Sequence, residues 1–268
     1  MRTKRGILRT FATLYYIYYL PHTMTYDLHK SLFILCFLLF GSLAASAQVG
    51  SPRNDWAIGV NAGATINRVL FSPHIRQNPL VAPTAGITAR YTSEKYFSLL
   101  CALQVELNFA QLGWDENIYS ATSEKLPDTY RRTINYLQMP FLAHLGLGRE
   151  HRGFKGFLIA GPQLGYALSD REVRSATWTL RTVEGQEVPN RANNVFAQYE
   201  KSIEHRFDYG ITAGLGVEWS TRLGHFIFDA RYYYGLSDLF GNAKKDPFGR
   251  SPHNTIAAKL TYLIDLKK

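Results

Sequence analysis

Eight stretches in which every second residue is apolar constrain the fold more than anything else in the chain. One face of the first is Trp56, Ile58, Val60, Ala62, Ala64 and Ile66, against small or polar Gly59, Asn61, Gly63 and Thr65. The same alternation runs through Pro83–Tyr91, Phe97–Phe109, Leu137–Leu145, Leu158–Tyr166, Phe207–Trp219, Phe226–Tyr234 and Ile256–Leu266. Successive strand residues point to opposite sides, so a period of two marks a strand with one apolar and one polar face. The fourth run falters upstream, at Ile134 and Tyr136, which suggests a bulge. The runs are roughly 10 to 15 residues long, against about 5–6 in globular sheets and about 9–11 for a tilted strand that crosses a bilayer.

The connections alternate too. Strands 2 and 3, 4 and 5, and 6 and 7 are joined by the short stretches Thr92–Lys95, Gly146–Gly153 and Ser220–Leu223. The others, Asn67–Val81, Leu112–Tyr130, Ser169–His205 and Leu236–His253, are long. Short turns at one end and long loops at the other are characteristic of barrels in outer membranes. The expected fold is therefore all-β: an eight-stranded antiparallel up-and-down transmembrane β-barrel.

An eight-stranded barrel has an interior just wide enough to be filled by side chains. The polar faces supply Arg90, Glu106, Asp208, Glu218, Asp229, Arg231 and Lys259, spaced by glycine and threonine, and these are the expected polar network of the lumen. The apolar faces then meet lipid, where every backbone polar group must be paired and the sheet must close. Aromatics mark two rims: Tyr91, Tyr96, Phe97, Phe154, Trp219 and Phe226 near the short turns, and Phe109, Trp114, Tyr166, Phe207, Tyr209 and Tyr234 near the long loops. The competing reading, a secreted carrier with an aromatic core, is also eight-stranded but gives no reason for loop length to segregate by end.

The amino-terminal part reads as a targeting segment. Ser31–Ala47 is the one long apolar run; it follows His29 and Lys30 and closes on Ala45-Ser46-Ala47 before Gln48. That order is a secretory signal peptide, residues 24–47, with cleavage between Ala47 and Gln48. Residues 1–23 read as an upstream extension, 48–55 as a short segment and 56–268 as the barrel. Of the net charge of +9, residues 1–47 carry +4, leaving +5 dispersed over the rest. Nucleic acid is excluded as a partner, because no basic stripe is formed. Cys101 is the only cysteine after the expected cleavage point.

No catalytic residue, metal site or cofactor is expected. Gly210 and Gly214 are inward glycines of a narrow lumen. His144 and His151 belong to a solvated turn. Glu218 and His225 face each other across the tight turn between strands 6 and 7 as a structural ion pair. Ser237, Asp238 and His253, with His205 and Asp208, flank two long loops, but no nucleophile motif orders them.

The ordered set Ser93–Phe97 with Glu106–Phe109, Asn135–Phe141, Gly161–Tyr166, Phe207–Gly216, Ala230–Gly235 and Lys259–Ile264 resembles the PorT-like, or porin-family, small outer-membrane barrels of Bacteroidota. The resemblance covers about residues 55–268 and implies an outer-membrane barrel; both termini are expected in the periplasm. The expected role is non-enzymatic, structural or binding, through long extracellular loops. The partners are outer-membrane lipid and lipopolysaccharide, with other envelope proteins. Two alternatives stand beside it: an accessory of an outer-membrane secretion or assembly machine, and an outer-membrane hydrolase or acyltransferase.

Overall fold

The computed structural model describes residues 51–148, 153–192 and 195–266. The upstream extension, the signal peptide, its Ala47/Gln48 junction and His151 lie outside the described residues. Eight long strands form the wall: β1 (Ser51–Val69), β3 (Leu80–Tyr96), β4 (Leu99–Glu116), β5 (Tyr130–Gly148), β6 (Gly153–Arg174), β9 (Phe207–Ser220), β10 (His225–Gly235) and β11 (His253–Asp265). The two-residue β2 (Gln77–Asn78) pairs with the tip of β4, and β7 (Leu180–Val183) and β8 (Gln186–Pro189) form a hairpin. Each wall strand pairs antiparallel with its sequence neighbours in the wall, and β11 pairs with β1 from Ala57↔Asp265 to Val69↔His253, closing the ring. Closure leaves no edge strand and satisfies the backbone around the whole circumference.

The side chains divide as lipid requires. Leu103, Leu215 and Phe228 are 50%, 62% and 50% exposed on the outside of the wall, while Glu106, Asp229 and Lys259 are 1%, 1% and 3% exposed inside it. A soluble barrel would show the reverse. At the short-turn end the outward aromatics form a belt: Phe154 stacks on Trp219 at 5.9 Å, Trp219 lies 5.9 Å from Phe226, and Phe226 lies 4.9 Å from Tyr262. At the other end Phe109, Tyr166, Phe207 and Tyr209 face outward. Paired aromatic girdles of this kind flank the apolar band of membrane barrels.

Several boundaries differ from the sequence reading. β1 begins at Ser51 and takes in residues expected to precede the barrel. The first short turn is at Phe97–Ser98, not Thr92–Lys95, because a register shift between Thr92 and Glu94 absorbs one residue and lets the ladder run on. β5 shows no break at Ile134 and Tyr136: it alternates throughout, and these two side chains point inward. The bulge is on its partner, where Asn135 pairs with Ser169 and Tyr136 with Ala167, leaving Leu168 over. β4, β5 and β6 also run past the apolar band, to Glu116, from Tyr130 and to Arg174.

Candidate functional site

Two Arg–Glu pairs cross the lumen. β3 and β9 lie four places apart in the ring of eight, as do β4 and β10, so each pair spans the diameter. Arg90 Nη1 on β3 donates to Glu218 Oε2 on β9 at 2.7 Å, with a second bond at 3.2 Å. Glu218 also takes Lys155 at 2.8 Å, His225 Nδ1 at 2.7 Å and the Ser220 hydroxyl at 3.3 Å. His225 Nε2 reaches Asp265 at 3.0 Å, so the expected Glu218–His225 pair lies at the short-turn mouth. Nearer the middle, Arg231 Nη1 and Nη2 on β10 donate to both oxygens of Glu106 on β4, at 2.9 and 2.8 Å. Lys259, Gln104 and Asn108 add bonds to Glu106 of 2.6, 2.7 and 3.0 Å, and Arg231 is also paired with Asp229. A bidentate guanidinium–carboxylate pair combines charge with fixed geometry.

The seven predicted lumen residues thus fall into three groups rather than one network. Arg90 and Glu218 form the first, Glu106, Asp229, Arg231 and Lys259 the second. Asp208 stands apart, bonded to the Tyr233 hydroxyl at 2.8 Å and to Ser237. Lys155, missing from the sequence reading, shares the inward parity of Gln163 and completes the charge balance. Among the described residues four cations (Arg90, Lys155, Arg231, Lys259) and four carboxylates (Glu106, Asp208, Glu218, Asp229) are buried in the lumen. Inward glycines make room for the long side chains: a methyl on Gly214 would sit 3.0 Å from Arg231 Cγ, and one on Gly216 2.4 Å from Phe157 Cζ. His144 is not in a solvated turn. It is 3% exposed within the wall and stacks on Phe157 at 4.4 Å, because β5 continues to Gly148. A cavity of about 30 Å³ remains, touching Thr65, Asn108, Gln163 and Arg231, with room for about two waters on the usual requirement of ~10–15 Å³ each.

The long-loop end is closed by a second, apolar core. Inward-facing Leu112, Trp114, Tyr130, Ile134 and Tyr136 of β4 and β5 meet Phe71 and Ile75 from the β1–β3 connection, Ile118 from β4–β5, and Leu239, Phe240 and Phe248 from β10–β11. Trp178, Tyr199 and Ile203 of the β6–β9 connection pack against it. All four long connections therefore build one cap. Trp114 is correspondingly not a girdle residue: it is fully buried, 5.1 Å from Phe71, because position 114 shares the inward parity of Glu106.

Polar groups stitch the cap together. Arg132 is buried over Trp114 and Phe240 and bonds to Asp170, to Glu172 at 2.8 Å and to the Lys201 carbonyl at 2.6 Å. Glu116 accepts from Gln198 at 2.9 Å, the Tyr199 hydroxyl at 2.8 Å and Trp114 Nε1 at 3.2 Å, and burial holds its carboxyl above the ordinary value. Arg191 bonds to Tyr199 at 2.9 Å and to Asp128 at 3.1 Å. The Ser, His and Asp residues considered for catalysis are held in structural contacts. Ser237 is bonded to Asp208, His205 Nδ1 meets the Asp238 carbonyl at 3.0 Å, and His253 is 1% exposed, 3.2 Å from the Tyr136 hydroxyl.

Comparison with a family model agrees with this architecture. Residues 46–241 match the family model described as outer membrane protein beta-barrel domain. Among solved structures, Ail, the attachment invasion locus protein of Yersinia pestis, is 13% identical over 78% of this chain and 98% of its own, with a TM-score of 0.32. The outer membrane protein OprG from Pseudomonas aeruginosa is 11% identical over 82% of this chain and 99% of its own, with a TM-score of 0.46. Neisserial surface protein A is 11% identical over 79% and 98%, with a TM-score of 0.32. No curated protein matches the sequence.

Proposed function

This chain belongs to the outer membrane protein beta-barrel domain family, and we propose that it serves the outer membrane without catalysis, as a sealed barrel whose capped end is its binding or structural surface. The observation that carries this reading is the convergence of all four long connections on one apolar core above a filled lumen. A pore would keep the lumen open, and a carrier would keep an apolar cavity inside. Here the interior is spent on cross-lumen ion pairs, and the folded, varied surface is the cap.

In this proposal a signal peptide at residues 24–47 exports the chain, the short-turn end with both termini faces the periplasm, and the cap faces outward. The apolar band contacts membrane lipid, with lipopolysaccharide at its outer margin and other envelope proteins reached through the cap. The resemblance to PorT-like proteins of Bacteroidota is part of the same proposal. Membrane fractionation with gel migration before and after boiling tests it. The protein is expected in the outer-membrane fraction and to run faster unboiled, and purified protein is expected to leave planar bilayers without conductance. Recovery in the soluble fraction, or stepwise single-channel currents, would overturn the reading.

A further inference from the structure

We propose that the rim of the barrel, where β9 and β10 meet the cap, seats one phosphorylated saccharolipid of the outer leaflet, with its phosphates on Arg206 and Arg250 and its acyl chains on the wall below. A groove of about 430 Å³ lies at this point. That volume falls within the ~300–1,000 Å³ of small-molecule sites. Its lining has two chemistries. Exposed Phe207, Tyr209 and Leu236 give an apolar floor continuous with the lipid-facing wall, and exposed His205, Arg206 and Asn242 line the part nearer the cap. Arg250 stands on the β10 side, where its Nη2 donates to the Tyr234 hydroxyl at 3.3 Å.

The charges at this rim are not balanced within the chain. Among the described residues, exposed Arg68, Arg171, Arg206 and Arg250 have no ion-pair partner. They lie on one arc of the ring, which runs from β6 through β9, β10 and β11 to β1. Arg131 and Arg174, further above the apolar band, are by contrast paired with Asp115 and Glu200. The carboxylates beside the groove are already engaged: Asp238 accepts from the Ser251 N–H and from Asn242, and Glu204 from Lys201 and the Gly241 N–H. Arg206 and Arg250 therefore hold uncompensated charge at an apolar boundary, and an anion with an apolar tail satisfies both sides of it. Guanidinium forks match phosphate oxygens in bidentate geometry.

Height above the membrane selects the source. Arg206 directly precedes Phe207, Arg68 lies two positions beyond Ile66, and Arg171 lies three beyond Leu168, each neighbour being an exposed apolar residue. At ~3.3 Å per residue and a tilt of roughly 40°, three positions rise about 8 Å. The headgroup layer adds roughly 5–8 Å to each face of the hydrocarbon core, so these guanidiniums stand at the level of lipid phosphates. The inference rests on the reading of the cap as the outward end, which places that level in the leaflet where lipopolysaccharide meets the barrel.

Protein folded in neutral-detergent micelles is titrated with bisphosphorylated lipid A, fully dephosphorylated lipid A and phosphatidylglycerol, and bound lipid is counted by native mass spectrometry. Bisphosphorylated lipid A is expected to bind at one per barrel, and the other two lipids at least tenfold more weakly. Arg206→Ala and Arg250→Ala are each expected to weaken it at least threefold, and together at least tenfold. Arg222→Ala, at an exposed short turn, is expected to change nothing, and every variant to keep the fast-migrating gel form. Excess inorganic phosphate is expected to leave the bound lipid in place. Equal binding of the dephosphorylated lipid or of phosphatidylglycerol, displacement by inorganic phosphate, or unchanged affinity in the double variant would each overturn the site. Binding in micelles is independent of the direction of insertion, so these outcomes judge the site alone. Loss of the fast-migrating form in the unsubstituted protein would instead overturn the barrel reading beneath it.

Discussion

Glu218 has no exposure to solvent, yet it is surrounded by Arg90, Lys155 and His225. Removing one member of a buried ionic group leaves the rest uncompensated, which costs about 3–5 kcal/mol. Glu218→Gln is therefore expected to lower the unfolding free energy of the refolded barrel by about that amount, measured by urea titration of tryptophan fluorescence. Arg131→Gln breaks an exposed pair with Asp115 and is expected to cost less than about 1 kcal/mol in the same assay. Equal effects would refute the view that the lumen ion groups organise the barrel. Gly216→Ala would place its methyl 2.4 Å from both Phe157 Cζ and the Phe228 carbonyl, and overpacking of this kind costs about 1–3 kcal/mol. Parity along each strand is enough to place Glu218, Glu106 and Arg231 inside, since every second residue shares a face. It does not say which charges meet, because partners such as Arg90 and Glu218 are separated by 128 positions and joined only by ring closure.

Strands that rise above the membrane carry a less legible period of two, for a physical reason. Within the bilayer the inward face is polar and the outward face apolar, so the alternation is plain. Above it the outward face turns polar, as at Arg131, Thr133 and Asn135, while the inward face turns apolar, as at Ile134 and Tyr136. The contrast inverts with no change of strand geometry, and the inversion looks like a fault in the period. Trp114 belongs to that inverted zone. Truncating a buried large aromatic costs about 3–5 kcal/mol, so Trp114→Ala is expected to loosen the cap. Limited proteolysis should then cut the β6–β9 connection faster while the boiled and unboiled gel forms still differ; parallel loss of both would mean cap and barrel are one cooperative unit. The cap should also respond to pH. Burial keeps the Glu116 carboxyl above its ordinary 4.5, so the folded cap binds that proton more tightly than the unfolded chain and loses stability as pH rises above 4.5. The Lys201 ammonium and the Gly241 N–H hold exposed Glu204 below 4.5, so its contribution is present above that value and is lost as pH falls through its folded range. Above pH 4.5, Glu116→Gln is expected to make the urea midpoint of the cap fall less, or rise more, with pH than in the unsubstituted protein. An identical pH profile in the two proteins would remove Glu116 as a contributor.

Among the described residues, the barrel has two unlike ends separated by a band of lipid-facing side chains. One carries turns of a few residues, such as Phe97–Ser98 and Thr221–Gly224; the other carries a folded cap with its own apolar core. In the proposed reading the lumen is sealed by cross-lumen ion pairs, so work at the cell surface falls to the cap, and only if the cap faces out. Outer-membrane barrels place short turns on the periplasmic side and long loops outside. Single cysteines can read the orientation directly. Lys244 is exposed on the β10–β11 connection and Arg222 on the turn between β9 and β10. In a Cys101→Ala background, Lys244→Cys is expected to react with a membrane-impermeant maleimide on intact cells. Arg222→Cys is expected to react only after the outer membrane is broken. Both side chains are exposed and neither belongs to the lumen ion groups, so folding is expected to be unaffected, with the gel shift as the control. The opposite labelling pattern would invert the barrel and turn the cap toward the periplasm.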